Sequence, residues 1–194
     1  MFERIKFKLA AGARRIFMVK TVRRFRNHQD GATAVEFGLV AAPFLGLIFA
    51  IMETAGVFFA GQVLETATAD SARLIMTGQA QTQSFSQEKF KEAVCSKVYA
   101  LFDCNGGIYV DVKTYTSFSD IANTKPIDAN GNLVKDFTYQ PGGPGCIVVV
   151  KLLYEWPVYT SLMGLNLSDL NGKKRLLVAT SAFRNEPYAS SGGC

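Results

Sequence analysis

Beyond position 28 the 194-residue chain has no histidine, and the single histidine, His28, stands in a basic leader. Ser-His or Cys-His nucleophiles and histidine metal sites are therefore excluded from everything that follows it. Cysteine is sparse as well: Cys95, Cys104, Cys146 and Cys194 contain no CxxC pair, so zinc ribbons and thioredoxin-like redox sites have no support. There is no glycine-rich phosphate loop and no internal repeat. The isolated carboxylates Asp111 and Asp136 leave two-carboxylate hydrolysis as the one enzymatic chemistry open. The expectation is a protein that is not an enzyme and carries no cofactor and no metal.

Charge is nearly absent from Phe37–Ala60, where 24 residues hold one ionisable side chain, Glu53. A helix of that length covers ~36 Å, enough for a hydrocarbon core of ~30 Å. The flanks are lopsided. Residues 1–30 carry nine Lys/Arg and two acids, a net of +7, whereas residues 31–194 carry twelve and fourteen, a net of −2. A basic arm suits nucleic acid or membrane topology. The apolar run directly after it selects the membrane, with no nucleic-acid partner. The positive-inside rule then keeps the N-terminus cytoplasmic and exports the C-terminal part.

Along the leader, Phe2, Ile5, Leu9, Ala13, Ile16 and Val19 recur at helical spacing among basic residues, which predicts an amphipathic helix over 1–26 suited to an anionic leaflet. A loose tail whose charges only orient the chain is the alternative. After the polar break Asn27–Gly31, a second helix starts near Ala32 and runs to about Thr77, ~69 Å if unbroken. Pro43 should kink it. Leu64, Thr68, Ala72 and Ile75 share one face, so its outer half needs a packing partner.

The exported part reads as a small α+β head. An amphipathic helix is expected over Ser86–Phe102, with Ser86 as N-cap and Phe90, Val94, Val98 and Phe102 inward. Strands are expected at Ile108–Lys113, Ile147–Tyr154 and Lys174–Arg184, with Pro157 ending the second. Residues 118–144 form a long loop with turn signals at Asp128–Gly131 and Gln140–Gly145; Leu162–Leu170 is ambiguous. The fold class is thus α+β: a long N-terminal membrane-spanning helix bearing an antiparallel sheet of three or four strands and one packed helix. The expected domains are a leader over 1–31, a membrane segment over 32–62 with its helix extending to about 77, and a head over 78–194. An even cysteine count in an oxidising compartment favours disulfides. Cys95 with Cys104 is the first pairing, leaving Cys146 with Cys194. Four cysteines allow three connectivities, and an intermolecular bond through Cys194 stays open.

The informative string is Gly31-Ala32-Thr33-Ala34-Val35-Glu36-Phe37, set between basic residues and the apolar helix. With Pro43, Glu53, the Ala-rich extension and the terminal Phe183–Tyr188 segment, it resembles the TadE-like family of minor pilins and pseudopilins in the Tad (Flp) type IVb pilus and secretion system. The motif region covers about 50 residues; the distal match is short. The resemblance implies cleavage between Gly31 and Ala32 by a membrane prepilin peptidase, with Gly31, Ala32, Glu36 and Phe37 as the processing site. It also implies a role for Glu36 in pairing with the new N-terminal amine of a neighbouring subunit. From its place, Glu36 also complements the positive helix N-terminus. Glu53, ~26 Å further along, is expected at the outer boundary or against a partner helix. Gly38, Ala42 and Gly46, at four-residue steps, permit close helix packing or are ordinary membrane-helix glycine content.

The expected partners are the prepilin peptidase, other pilin-like subunits (a major pilin and a second pseudopilin), the inner-membrane assembly platform and the lipid bilayer. The expected location is the bacterial inner membrane, single pass, with the head periplasmic and the protein either in the filament, with an adhesive role, or at its base. Other readings are an uncleaved anchor of another secretion or envelope complex, and a secretory precursor cut after Ala67-Thr68-Ala69.

Overall fold

The computed structural model describes residues 31–98, 101–104, 106–121, 126–159, 166–189 and 194. The leader and its expected amphipathic helix lie outside the described residues. The chain divides into two compact units, Met1–Ile48 and Phe49–Cys194, and the division falls inside one helix, α1, Ala32–Met76.

In the first unit, α1 continues through Pro43, whose missing N–H leaves the Leu39 carbonyl without its intrahelical donor. Large apolar side chains point outward there: Phe37 is 73% exposed and Leu39 71%. The apolar stretch of α1 is long enough to cross a membrane, with a mean hydropathy of 2.1 over its best eighteen-residue window and none of that window buried.

In the second unit the same helix changes character. Val57, Ala60, Leu64, Ala67, Thr68, Ser71, Ala72 and Ile75 are buried at three- and four-residue steps, as the sequence periodicity predicts. They join one hydrophobic core with the sheet and a short helix. Gly78, at φ +78, ends α1: its N–H donates to Ile75 O at 3.0 Å while Thr77 N–H donates to Arg73 O. The left-handed turn is one that glycine adopts without strain.

The sheet is antiparallel in the order β1 (Ile108–Tyr115), β2 (Ile147–Pro157), β3 (Lys174–Arg184). Ile108 pairs with Tyr154 and Tyr115 with Ile147; on the other side Ile147 pairs with Arg184 and Pro157 with Lys174. Alternation sorts the side chains. Val110, Val112, Val148, Val150, Leu152, Leu177 and Ala179 face α1. Leu153 and Leu176 face the opposite side and meet Leu133 and Leu170. This second face is covered by loop, not helix, a layer that sequence patterning does not reveal. The predicted turn at Asp128–Gly131 and a turn at Asn171-Gly172 build it. Asp128 Oδ1 accepts from Asn130 and Asn132 N–H, and Asn171 N–H donates to Gly131 O at 2.9 Å. Part of the long loop also covers the edge of β1, where Val112 N–H donates to Thr138 O and Gln140 N–H to Val112 O, both at 2.8 Å.

Helix α2 is one turn, Gln79–Thr82, and α3 is Gln87–Cys95, capped by Ser86, whose Oγ accepts from Lys89 N–H at 3.2 Å. Phe90 and Val94 are buried as predicted. The expected helix through Phe102 is too long: α3 stops at Cys95, and residues 99–100 lie outside the described set. The reason is geometric. Cys95 is bonded to Cys104 with their Cα atoms 5.8 Å apart. Nine residues of helix would separate them by ~13.5 Å. The chain turns back instead, still burying Val98 and Phe102. A second disulfide joins Cys146 to Cys194.

The terminal segment after β3 is fastened to the end of α1. Glu186 N–H donates to Met76 O at 2.9 Å, an otherwise orphaned helix carbonyl. The Tyr188 ring lies against Gly78 so closely that an added Cβ would sit 2.5 Å from it. The buried Asn185 amide donates to Pro141 O and Gly143 O, and its N–H donates to Cys146 O. Gln81, from α2, donates to Pro141 O at 3.0 Å.

Candidate functional site

Gly31 lies directly before α1, and Ala32 is the first α-helical residue. Both are exposed, as is every residue from Gly31 to Val40. The peptide bond between Gly31 and Ala32 therefore sits at a helix start with no described residue packed over it. Ala32–Val35 form the first turn, which holds no acidic side chain. Glu36 opens the second turn, one position beyond where the helix dipole acts most strongly. Helical side chains lean toward the N-terminus, so the Glu36 carboxylate leans over the turn that begins at Ala32. Phe37 is exposed beside it.

Gly38, Ala42 and Gly46 form a stripe along the same unit. A Cβ built on Gly38 or Gly46 meets nothing within 4 Å, so no described neighbour requires glycine there. The same holds for Gly56 and Gly61 in the second unit.

Glu53 has a role that sequence reasoning did not supply. Its Oε1 accepts the backbone N–H of Tyr159 at 2.6 Å. The one charge of the apolar run is thus tied to the loop that follows β2, 106 residues away in sequence. No local pattern signals a bond to a backbone group at that separation. Next to it, a groove of about 450 Å³ between α1 and β3 is lined by Thr54, Val57, Phe58, Arg175 and Val178 among others.

The two carboxylates considered for hydrolysis, Asp111 and Asp136, line one shallow recess of about 220 Å³ with Lys113 and Lys151. Asp111 is already engaged. Its Oδ1 accepts from Thr138 N–H at 3.0 Å, and its Oδ2 lies 3.3 Å from the Lys113 ammonium. These contacts fasten the long loop to β1. Among the described residues, no three His, Cys, Asp or Glu side chains are placed to hold a metal ion. Elsewhere in the second unit, burial pushes the Tyr139 hydroxyl up to about 12. That hydroxyl meets no hydrogen-bond partner among the described residues.

Cys95, Cys104, Cys146 and Cys194 all serve as structural clamps: one closes the turn after α3, and the other ties the chain end to the start of β2.

Residues 31–73 match the family model described as TadE-like protein. The matched segment opens at Gly31 and takes in nearly all of α1. No curated protein and no solved structure matches the chain.

Proposed function

With the TadE-like match at Gly31–Arg73 as premise, we propose that this protein is a minor pilin or pseudopilin of a Tad (Flp) type IVb pilus, cut by a prepilin peptidase between Gly31 and Ala32. The observation that carries the reading is the coincidence of three boundaries. The matched segment, the start of α1 and the sequence of glycine, four small or apolar residues, glutamate and phenylalanine all begin at Gly31 or Ala32. Exposure of Gly31 to Val40 supports access by a peptidase, and glycine permits close approach to the backbone.

In this reading the basic leader stays in the cytoplasm, α1 crosses the inner membrane once and the head lies in the periplasm. Cleavage leaves an ammonium on Ala32 one helical turn before Glu36. A carboxylate in that position offsets the charge of such an amine, from its own or a neighbouring subunit, in a setting where an unpaired charge is costly. The small-residue stripe Gly38, Ala42 and Gly46 lets a neighbouring pilin-like helix approach closely. The partners are the peptidase, the major pilin, a second pseudopilin and the inner-membrane platform. The head makes this chain a shaping or priming subunit of the filament, with secretion and adhesion as downstream processes.

The test is the N-terminus and intact mass of the membrane-extracted protein under non-reducing conditions. The expected product begins at Ala32 and is lost when Gly31 is replaced by valine. A product beginning at Met1 would leave an uncleaved membrane anchor of another envelope complex. One beginning near Asp70 would mean a secretory signal. In the intact organism, deletion of the protein should abolish or sharply reduce surface pili.

A further inference from the structure

The end of the sheet that meets Glu53 gathers side chains with no role so far. Tyr159 N–H reaches Glu53, Val158 N–H donates to Lys173 O at 2.9 Å, and Trp156 and Pro157 pair with Arg175 and Lys174. The end of β2 and the start of β3 therefore lie level with the one charge in the apolar run of α1. Tyr159 is 83% exposed there, and Phe58 and Phe59, one to two turns beyond Glu53, are 70% and 60% exposed. Trp156 is half-buried, with its ring 6.0 Å from Phe102.

The charges at this end are locally balanced. Lys174 binds Glu155 at 2.7 Å, Asp169 accepts Leu176 N–H at 2.7 Å, and Arg175 donates to Leu167 O at 3.2 Å. With Glu53 and Lys173, three acids face three cations. The surface is aromatic and amphipathic without being strongly cationic. Aromatic rings beside Lys and Arg stems are the composition of a membrane–water boundary, where one part of each side chain stays apolar and the other is wet.

We propose that this end of the head is a lipid-contacting surface, with Tyr159, Trp156, Phe58 and Phe59 resting in the headgroup and upper acyl layer of a phospholipid bilayer. The proposal rests on the membrane-spanning reading of α1. Continuity carries the choice of lipid over protein. Phe49, Ile51 and Met52, in the same unit, are exposed apolar residues directly before Glu53. Glu53 to Phe58 rises ~7.5 Å, comparable with the ~5–7 Å polar layer on each side of the hydrocarbon core, and helical side chains lean back toward the N-terminus, here toward the bilayer. A bilayer that covers Met52 therefore brings its polar layer to the sheet end. The Tyr159 N–H gives Glu53 a donor near the hydrocarbon edge, where leaving a carboxylate without a partner is costly.

Trp156 is the only tryptophan of the chain, so its emission reports on this surface alone. The full-length protein would be reconstituted in phosphatidylcholine vesicles containing lipids brominated either near the glycerol or near the chain end. The expected result is a loss of emission that is larger for the glycerol-proximal bromine and insensitive to salt or added anionic lipid. Tyr159→Ser, which keeps the backbone N–H to Glu53, should lessen that loss. Emission untouched by either lipid but open to aqueous acrylamide would overturn the proposal. Emission shielded from both would also overturn it and would assign the surface to a second copy or another protein. Flotation of the same vesicles separates the two readings: protein that floats without quenching loses only this inference, whereas protein that does not float loses the membrane anchor as well.

Discussion

Two stretches of α1 share backbone geometry yet differ in polarity and in what surrounds them. Phe37 to Met52 presents large side chains outward, with Phe37, Leu39, Val40 and Met52 all more than 60% exposed. Val57 to Ile75 turns a stripe inward in which Ala60, Ala67, Thr68, Ser71 and Ala72 alternate with the larger Val57, Leu64 and Ile75. The difference shows what each stretch packs on. Small residues let a helix lie close to a sheet whose own side chains fill the space. Large residues facing outward on every side suit a solvent that is itself apolar.

The largest expected effect falls on the inward stretch. Leu64 is fully buried, so Leu64→Ala should cost the head about 2–5 kcal/mol through lost burial and a residual cavity. Denaturant titration of the detergent-extracted protein, followed by Trp156 emission, checks this. Membrane retention should be unchanged. The reciprocal change is Leu47→Arg, at a side chain 51% exposed in the outward stretch. It should weaken insertion by about 3 kcal/mol while leaving the unfolding midpoint of the head in place. An insertion assay and the same titration read the two halves separately. If Leu47→Arg destabilised the head as much as Leu64→Ala, the division of labour along α1 would be wrong.

The smallest effect sharpens the contrast inside the head. Tyr139→Phe removes a hydroxyl without a described partner, so neutral-pH stability should change by less than about 1 kcal/mol, or rise. Its alkaline behaviour should change more clearly. The folded hydroxyl is raised to about 12, whereas an unfolded tyrosine titrates near ~10. The unfolded state therefore loses this proton first, and stability falls as pH rises between those values. Tyr139→Phe should lessen that decline in pH-dependent unfolding.

Much of this was legible in the sequence because it is local. The three strands announced themselves through β-branched runs, α1 through its apolar length, and the inward stripe through Leu64, Thr68, Ala72 and Ile75. Ser86 marked a helix start through its capping chemistry. What escaped is non-local. The length of α3 was misjudged because Val98 and Phe102 keep helical spacing while the Cys95–Cys104 bond bends the chain back. The loop layer over Leu153 and Leu176 is held by turns docking on one another, which no periodicity records. The Glu53–Tyr159 bond joins a side chain to a backbone group and leaves no residue-type signature. The string Gly31–Phe37 was readable through a family pattern, and its geometry adds only that Glu36 stands in the second turn.

The bond from Glu186 N–H to Met76 O also carries a timetable. Synthesis runs from the N-terminus, and Glu186 follows Met76 by 110 positions. At ~5–20 residues per second, the far end of the helix is made ~5–20 s before the group that caps it. For that interval its inward stripe lacks the complete sheet, whose last strand ends at Arg184, and the Met76 carbonyl has only water. The newborn chain therefore carries an uncapped helix end until Glu186 has been made, a window in which a holding chaperone or a neighbouring subunit would find part of that stripe open.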